Sequence, residues 1–283
     1  MNFDRDYGNE RKGKPSKIVI SAIIAMILVG LYLLVPATSK AIYAPPRENI
    51  TVVTNLPYPP FEDLAGGEFT GLDIDIAYKF GDKYNTRVIV TDVPEFDDIF
   101  LALKDGKADM AISAITISSG NSSRSNLSDF SIGYYNASQA VLAMENGKFK
   151  IANELFAGDF KGMRVGYQGS TTNEGWAAAN LFGKVDLAGN VSFGDVDSGL
   201  QILRSGDIDG IILDEPAARA LEKKNPGMVV AGVINNTQEE YGIAVKKGDP
   251  KKLLPKINEL IKELKGNGEY EKLIKKHFGG GQK

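Results

Sequence analysis

Apolar residues follow two patterns along the chain. Ile18 to Leu34 form a run broken only by Ser21, Gly30 and Tyr32, and extension to Ala37 brings it to about 20 residues, the length that crosses a bilayer core of about 30 Å. The run is apolar all the way round, unlike the face of a packed amphipathic helix. From Ile50 the pattern changes to short β-branched runs alternating with stretches of helical period. Ile50–Thr54, Arg87–Thr91 and Asp109–Ile112 predict strands. Leu72–Tyr84 predicts a helix with Leu72, Ile76 and Phe80 on one face and Asp73 capping its start, and Phe96–Leu103 predicts a second, stopped by Lys104-Asp-Gly106. The alternation then recurs. Strands are predicted at Met163–Tyr167, Gly210–Leu213 and Met228–Ala231, and helices at Thr172–Asn180, Ser198–Arg204 and Asp214–Lys223. Leu253, Leu254, Ile257, Leu260, Ile261 and Leu264 mark a helix ended by Gly266, and Glu269–Phe278 is the last. This order predicts an α/β fold with mainly parallel sheets in two units, with ligands bound outside the carboxyl ends of strands and in the cleft between the units.

The flanks of the apolar run are asymmetric. Residues 1–17 carry Arg5, Arg11, Lys12, Lys14 and Lys17, whereas the far side begins with only Lys40 and Arg47. Cationic flanks stay in the cytoplasm, so the bulk of the chain is expected outside it. The run is read as an uncleaved transmembrane anchor (18–37) after a basic cytoplasmic tail (1–17) and before a linker (38–48). A cleaved signal peptide is the competing reading, because Thr38-Ser39-Lys40-Ala41 loosely resembles a cleavage site. The chain has no cysteine, which excludes thiolate catalysis, thiolate metal sites and a lipidated N-terminal cysteine. Formal net charge is −3; the first 17 residues hold five cationic and three acidic side chains, so the remainder stands at −5. A mildly acidic body argues against nucleic acid as a partner.

Four segments could carry chemistry. Thr54-Asn-Leu-Pro-Tyr-Pro-Pro-Phe61 follows a strand, and its three prolines predict an extended loop holding Tyr58, either against a ligand or as a core aromatic. Ser113-Ala-Ile-Thr116 also follows a strand, with Arg124 in the polar stretch beyond; an Arg fork matches a carboxylate, and a solvated loop charge is the plainer reading. Tyr167-Gln-Gly-Ser-Thr-Thr-Asn-Glu174 joins a strand to a helix whose first N–H groups suit an anion, though a simple hydroxyl cap explains the residues equally. Asp214 ends a strand and opens a helix ahead of Pro216; it could hold an ammonium group or cap the helix. Together the four segments are complementary to a free α-amino acid. His277, the sole histidine, sits in a Lys-rich helix and reads as a surface residue. No metal-ligand spacing, phosphate loop or Ser-His-Asp order is present, so neither cofactor nor metal is expected.

Taken in order, these segments resemble the polar-amino-acid branch of the periplasmic solute-binding proteins, the receptors of ABC importers, over residues 49–279. The resemblance rests on Tyr58-Pro-Pro-Phe61, Gly71-Leu-Asp-Ile-Asp-Ile76, Phe96-Asp-Asp-Ile99, Ala111 to Ser118, Arg124 ahead of Asp129-Phe-Ser131, Gln168 to Glu174, Leu213-Asp-Glu215 and Tyr241-Gly-Ile-Ala-Val-Lys-Lys-Gly-Asp249. It implies a two-lobed periplasmic-binding-protein-like (type II) fold: lobe 1 from 49–138 and 240–283, lobe 2 from 139–239, and a hinge near Ser138–Val141 and Glu239–Ile243. It implies that Arg124 and the Thr172 amide hold a ligand carboxylate, and that Asp214, the Ser113 carbonyl and the Thr116 hydroxyl hold the ammonium. Tyr58 and Phe96 would sandwich the side chain, with Asn55 and Gln168 tuning its choice, and Ala114 and Thr171 are counted among the ligand-binding residues. Ala114 stands where Gly or Ser is common, and the Thr116–Arg124 segment is about three residues longer than the family's, which loosens the placement of Arg124. The expected function is an extracytoplasmic, monomeric receptor, not an enzyme, passing a polar, glutamine-like amino acid to a permease. A dehydratase on the same fold and a sensory domain are the other classes the resemblance leaves open.

Overall fold

The computed structural model describes residues 47–117 and 123–279. The expected tail and membrane run, and the linker up to residue 46, lie outside these. Among the described residues no helix is long and apolar enough to cross a membrane. The chain enters through β1 (Asn49–Thr54), the hairpin β2 (Asp63–Ala65) and β3 (Glu68–Thr70), α1 (Leu72–Tyr84), β4 (Arg87–Asp92), α2 (Asp98–Asp105), β5 (Met110–Ala111), a short α3 (Ser123–Leu127) and β6 (Ser128–Phe130). Next come β7 (Tyr135–Ala137), β8 (Gln139–Met144), β9 (Glu154–Leu155), β10 (Arg164–Gln168), α4 (Thr172–Asn180), β11 (Gly189–Phe193), α5 (Val196–Ser205), β12 (Gly210–Asp214), α6 (Glu215–Lys224) and β13 (Met228–Ile234). The chain finishes with β14 (Glu239–Tyr241), β15 (Ala244–Lys246), α7 (Leu253–Gly266) and α8 (Glu269–Phe278).

Two sheets organise these elements. The first runs β4-β1-β5-β15-β6 and the second β11-β10-β12-β8-β13-β9. The β-α-β units run parallel, as expected, with β1 between β4 and β5 and β10 between β11 and β12. The sheets are nevertheless mixed. β15 lies antiparallel to β5 and β6, and β8 antiparallel to β12 and β13, because the chain passes from one sheet to the other and back. The two passing segments pair with each other as β7 and β14. This pair uses Tyr135–Ala137, a few residues before the expected crossing at 138–141; from Gln139 the chain already belongs to the second sheet.

The helices follow from their apolar spacing. α1 buries Leu72, Ile76 and Phe80 and packs on β4, α7 and α8; complete burial of each such side chain is worth roughly 1.5–3 kcal/mol. Asn85, in the left-handed region at φ 52°, ends it. The start of α1 differs from expectation: Asp73 does not cap it. Gly71 precedes the helix at φ 131°, and the Leu72 and Asp73 amides donate to the Pro60 and Phe61 carbonyls at 3.0 Å each. A Cβ on Gly71 would lie 1.9 Å from the Phe61 oxygen, so only glycine lets the proline-rich loop sit there. That loop is not extended either. It turns back at Tyr58–Glu62, where the Tyr58 N–H meets the Glu62 carbonyl at 2.7 Å and the Glu62 N–H meets the Tyr58 carbonyl at 3.2 Å.

Two further expectations are corrected. β11 has no counterpart in the predicted elements, since this edge strand alternates half-exposed and exposed positions and lacks an apolar run. His277 is not a surface residue: its side chain is 9% exposed, and Nε2 lies 2.6 Å from Asp75 in the first turn of α1, which also binds Lys276.

Candidate functional site

All eleven nominated residues border one cavity between the carboxyl-end loops of the two sheets. Asn55, Tyr58, Phe96, Ser113, Ala114, Thr116, Arg124, Gln168, Thr171, Thr172 and Asp214 line it, together with Glu62 and Asn173. The loop after β1 supplies Asn55, Tyr58 and Glu62, the loop after β5 supplies Ser113 to Thr116, and α3 supplies Arg124. The β10–α4 junction supplies Gln168 to Asn173, and the end of β12 supplies Asp214.

Arg124 carries the positive charge. It is 9% exposed, its guanidinium lies 4.9 Å from the Phe96 ring centre and 5.4 Å from that of Phe100, and one nitrogen donates to the Ser170 carbonyl. Burial pulls its pKa down while Asp97, Glu239 and Asp214 oppose that from a distance. Among the described residues no carboxylate pairs with it directly. At the β10–α4 junction Thr171 caps the helix, accepting from the Glu174 amide at 3.4 Å, and Glu174 reaches back to the Ser170 amide at 2.7 Å. Two of the donors expected to await an anion are thus occupied, while the Thr172 amide, in the first turn, has no carbonyl within the helix to bond.

Asp214 carries the opposite charge. It sits at the N-cap position of α6 but does not cap it. Its carboxylate accepts from Asn173 at 2.9 Å and from the Tyr241 hydroxyl, and its amide donates to the Tyr58 oxygen at 3.1 Å. Burial, reinforced by Glu239, raises its pKa from the ordinary 3.8 to about 6. Tyr58 is therefore more than an aromatic wall; its hydroxyl is engaged with Asp214.

The amides of Asn55 and Gln168 meet across the cavity. Gln168 Nε2 donates to Asn55 Oδ1 and to the Gly194 carbonyl, at 2.8 Å each, and Asn55 Nδ2 donates to the Val93 carbonyl at 2.7 Å. Ser113 donates to Glu62 at 2.7 Å and accepts from the Asn55 amide at 3.1 Å. Ala114 holds a left-handed φ of 45°.

Three acids were missed by sequence reasoning. Glu62 lines the cavity, and Asp73, nominated only as a cap, lies behind it at 0% exposure. Glu239 accepts from both Thr116 and Thr172, the latter at 2.9 Å, and from Gln139 at 2.6 Å. The Thr116 hydroxyl, expected to face an ammonium group, donates to this carboxylate instead. The period of two along β14 puts Glu239 on the side of the buried Tyr241, and that was the available signal. Among the described residues no group of three or more His, Cys, Asp or Glu is arranged to hold a metal ion.

The chain is similar to known proteins in sequence and in fold. The chain is 29% identical to a probable histidine-binding protein of Neisseria gonorrhoeae over 244 residues, 84% of this chain and 87% of that one. It is 31% identical to the L-cystine-binding protein TcyJ of Escherichia coli strain K12 over 239 residues, 82% and 84% of the two chains. An ancestral arginine-binding protein, solved with arginine and with glutamine, superposes with TM-scores of 0.73 and 0.71 at 32% identity, over 82% of this chain and 99% of that one. The curated relatives are binding proteins, and the chain is a binding protein of the same α/β, periplasmic-binding-protein-like fold, not an enzyme. Residues 50–280 match the profile of one family, and the chain belongs to it: the bacterial extracellular solute-binding proteins, family 3.

Proposed function

We propose that this protein is an extracytoplasmic receptor that takes up one free polar L-amino acid between two lobes and delivers it to the permease of an ABC importer. The observation that carries the reading is Arg124, a buried cation with no carboxylate partner among the described residues, facing a cavity whose other end holds the buried Asp214. A zwitterion supplies both missing counter-charges. Arg124 and the first-turn amide of α4 at Thr172 receive the carboxylate. Asp214, the Ser113 carbonyl and the Thr116 oxygen receive the ammonium group, while Tyr58 and Phe96 flank the side chain.

Ligand choice falls to Asn55 and Gln168. With both Gln168 N–H bonds used, one Asn55 N–H and lone pairs on both carbonyl oxygens remain without a partner among the described residues. That set suits a polar uncharged side chain such as the amide of glutamine. Support comes from relatives that bind histidine and cystine, and from the arginine-binding ancestor whose site also accepts glutamine. In this reading residues 49–138 with 240–283 form one lobe and 139–239 the other. β7 and β14 act as the hinge, residues 18–37 tether the protein to the membrane, and it works as a monomer.

Calorimetry of the purified full-length protein against the twenty amino acids tests the reading. One-to-one binding, with the ligand recovered unchanged after long incubation, is expected; no heat from any of them would overturn it. Capture of a permease, rather than a signalling protein, separates importer from sensor.

A further inference from the structure

Behind the Ser113–Ala114 edge of the cavity lies a carboxyl pair without a role in the reading above. Glu62, at the end of the Tyr58–Glu62 turn, is 1% exposed, and Asp73, in the first turn of α1, is 0% exposed. Asp73 Oδ2 accepts from the Ala114 amide and the Tyr134 hydroxyl, at 2.8 Å each. Glu62 Oε1 accepts from Ser113 at 2.7 Å. The remaining oxygens, Glu62 Oε2 and Asp73 Oδ1, are buried and receive no N–H or O–H donor from other described residues. Through Ser113 and Ala114 the two carboxyls flank the same turn, and Glu62 feels the negative charge of Asp73.

A carboxylate can only accept, so while both groups are ionised neither can satisfy the other's buried oxygen, and two like charges close together in an apolar interior are strongly disfavoured. A single shared proton removes both difficulties. The partners say where it resides. Asp73 receives two donors on its outer oxygen and hosts the charge better; Glu62 receives one and feels the negative charge of Asp214 as well. Burial pushes Glu62 well above its ordinary value of 4.5 and Asp73 to about 6. No lysine or arginine pairs with either among the described residues, and His277, which acts on Asp73 from a distance, is held by Asp75.

We propose that Glu62 is a neutral carboxylic acid donating its proton to Asp73, and that this acid pair is the positioning element of the ammonium-facing Ser113–Ala114 turn. The pair fixes Ser113 through its hydroxyl and Ala114 through its amide, and so holds Ala114 in the left-handed conformation that an alanine rarely takes. The one negative charge left behind the turn adds to that of Asp214 in front of it. The positioning role rests on the amino-acid-receptor reading; the shared proton does not.

Infrared spectroscopy of the full-length protein at neutral pH tests the proton directly. Wild type shows the carbonyl stretch of an un-ionised carboxylic acid, and Glu62→Gln loses it. In Asp73→Asn the new amide donates to Glu62, which ionises, so the band is lost there too. No band in wild type, or its survival in either variant, overturns the proposal. Melting is an independent readout. A carboxyl whose pKa is raised in the native state loses stability as pH climbs from 4.5 through the native value, so the melting temperature of Glu62→Gln should rise relative to wild type as pH climbs above 4.5; a constant difference overturns the proposal. Calorimetry with L-glutamine and L-arginine then reads the positioning role. Glu62→Ala should lose about tenfold or more in affinity and Glu62→Gln should recover most of it; equal affinities in both variants overturn that role. If wild type binds no amino acid, the receptor reading fails while the infrared and melting results still decide the proton.

Discussion

At the scale of single residues, the site depends on charges stripped of water. Arg124 lies against the Phe96 and Phe100 rings and donates to the Ser170 carbonyl, and among the described residues no carboxylate pairs with it, leaving it open to a bound carboxylate. Arg124→Ala should weaken amino-acid binding by about 2–4 kcal/mol, read by calorimetry, and Arg124→Lys should restore little, because a point charge lacks the planar fork. Asp214 predicts a pH dependence of opposite sign for folding and for binding. Its raised pKa means that the unliganded protein loses stability as pH climbs from the ordinary 3.8 to about 6. An ammonium ligand needs the ionised form, so affinity should rise over that same interval, flatten above it, and lose this dependence in Asp214→Asn. Calorimetry at a series of pH values checks it. Most of the cavity-lining residues were legible because they follow strands, where α/β sheets present their loops, whereas Arg124 sits on the short helix α3. The hydrogen-bond partners were not. Thr116 and Glu239 stand 123 residues apart, and no local pattern announces that they meet.

At the scale of elements, the sequence reading succeeded where burial was one-sided and failed where tertiary contacts took over. The 3.6-residue period of α1, α7 and α8 identified them because only one face of each is apolar. β11 stayed hidden, since pairing with β10 defines it and composition does not. The entrance to α1 shows the same override: a backbone turn does the work assigned to an Asp side chain. Gly71→Ala should therefore destabilise the protein by roughly 1–3 kcal/mol or more, from a φ hostile to any side chain and a Cβ overlapping the Phe61 carbonyl. Urea unfolding would show it as a lower midpoint with unchanged slope. Because the displaced turn carries Tyr58 and Glu62, ligand affinity should fall in the same variant.

At the scale of the whole molecule, two sheets share one cavity and two passages of chain. Polar contacts across the cavity join the sheets: Gln168 to Asn55, Tyr58 to Asp214, Arg124 to Ser170. The ion pair between Lys224 on α6 and Asp63 on the β2 hairpin adds little, being largely solvated. Glu239 is different in kind. It rides on β14, one of the two passages, and binds Thr116 beside the first sheet, Thr172 at the head of α4 and Gln139 at the start of β8. Glu239→Ala should shift the unliganded protein toward an expanded form, seen as a larger radius of gyration in X-ray scattering that ligand reverses. Apparent affinity is intrinsic affinity scaled by the fraction of molecules already competent to bind. A residue that never touches the cargo can thus set the concentration at which the receptor fills, and selection can retune uptake to a scarcer or richer supply without redrawing the contacts that recognise the amino acid.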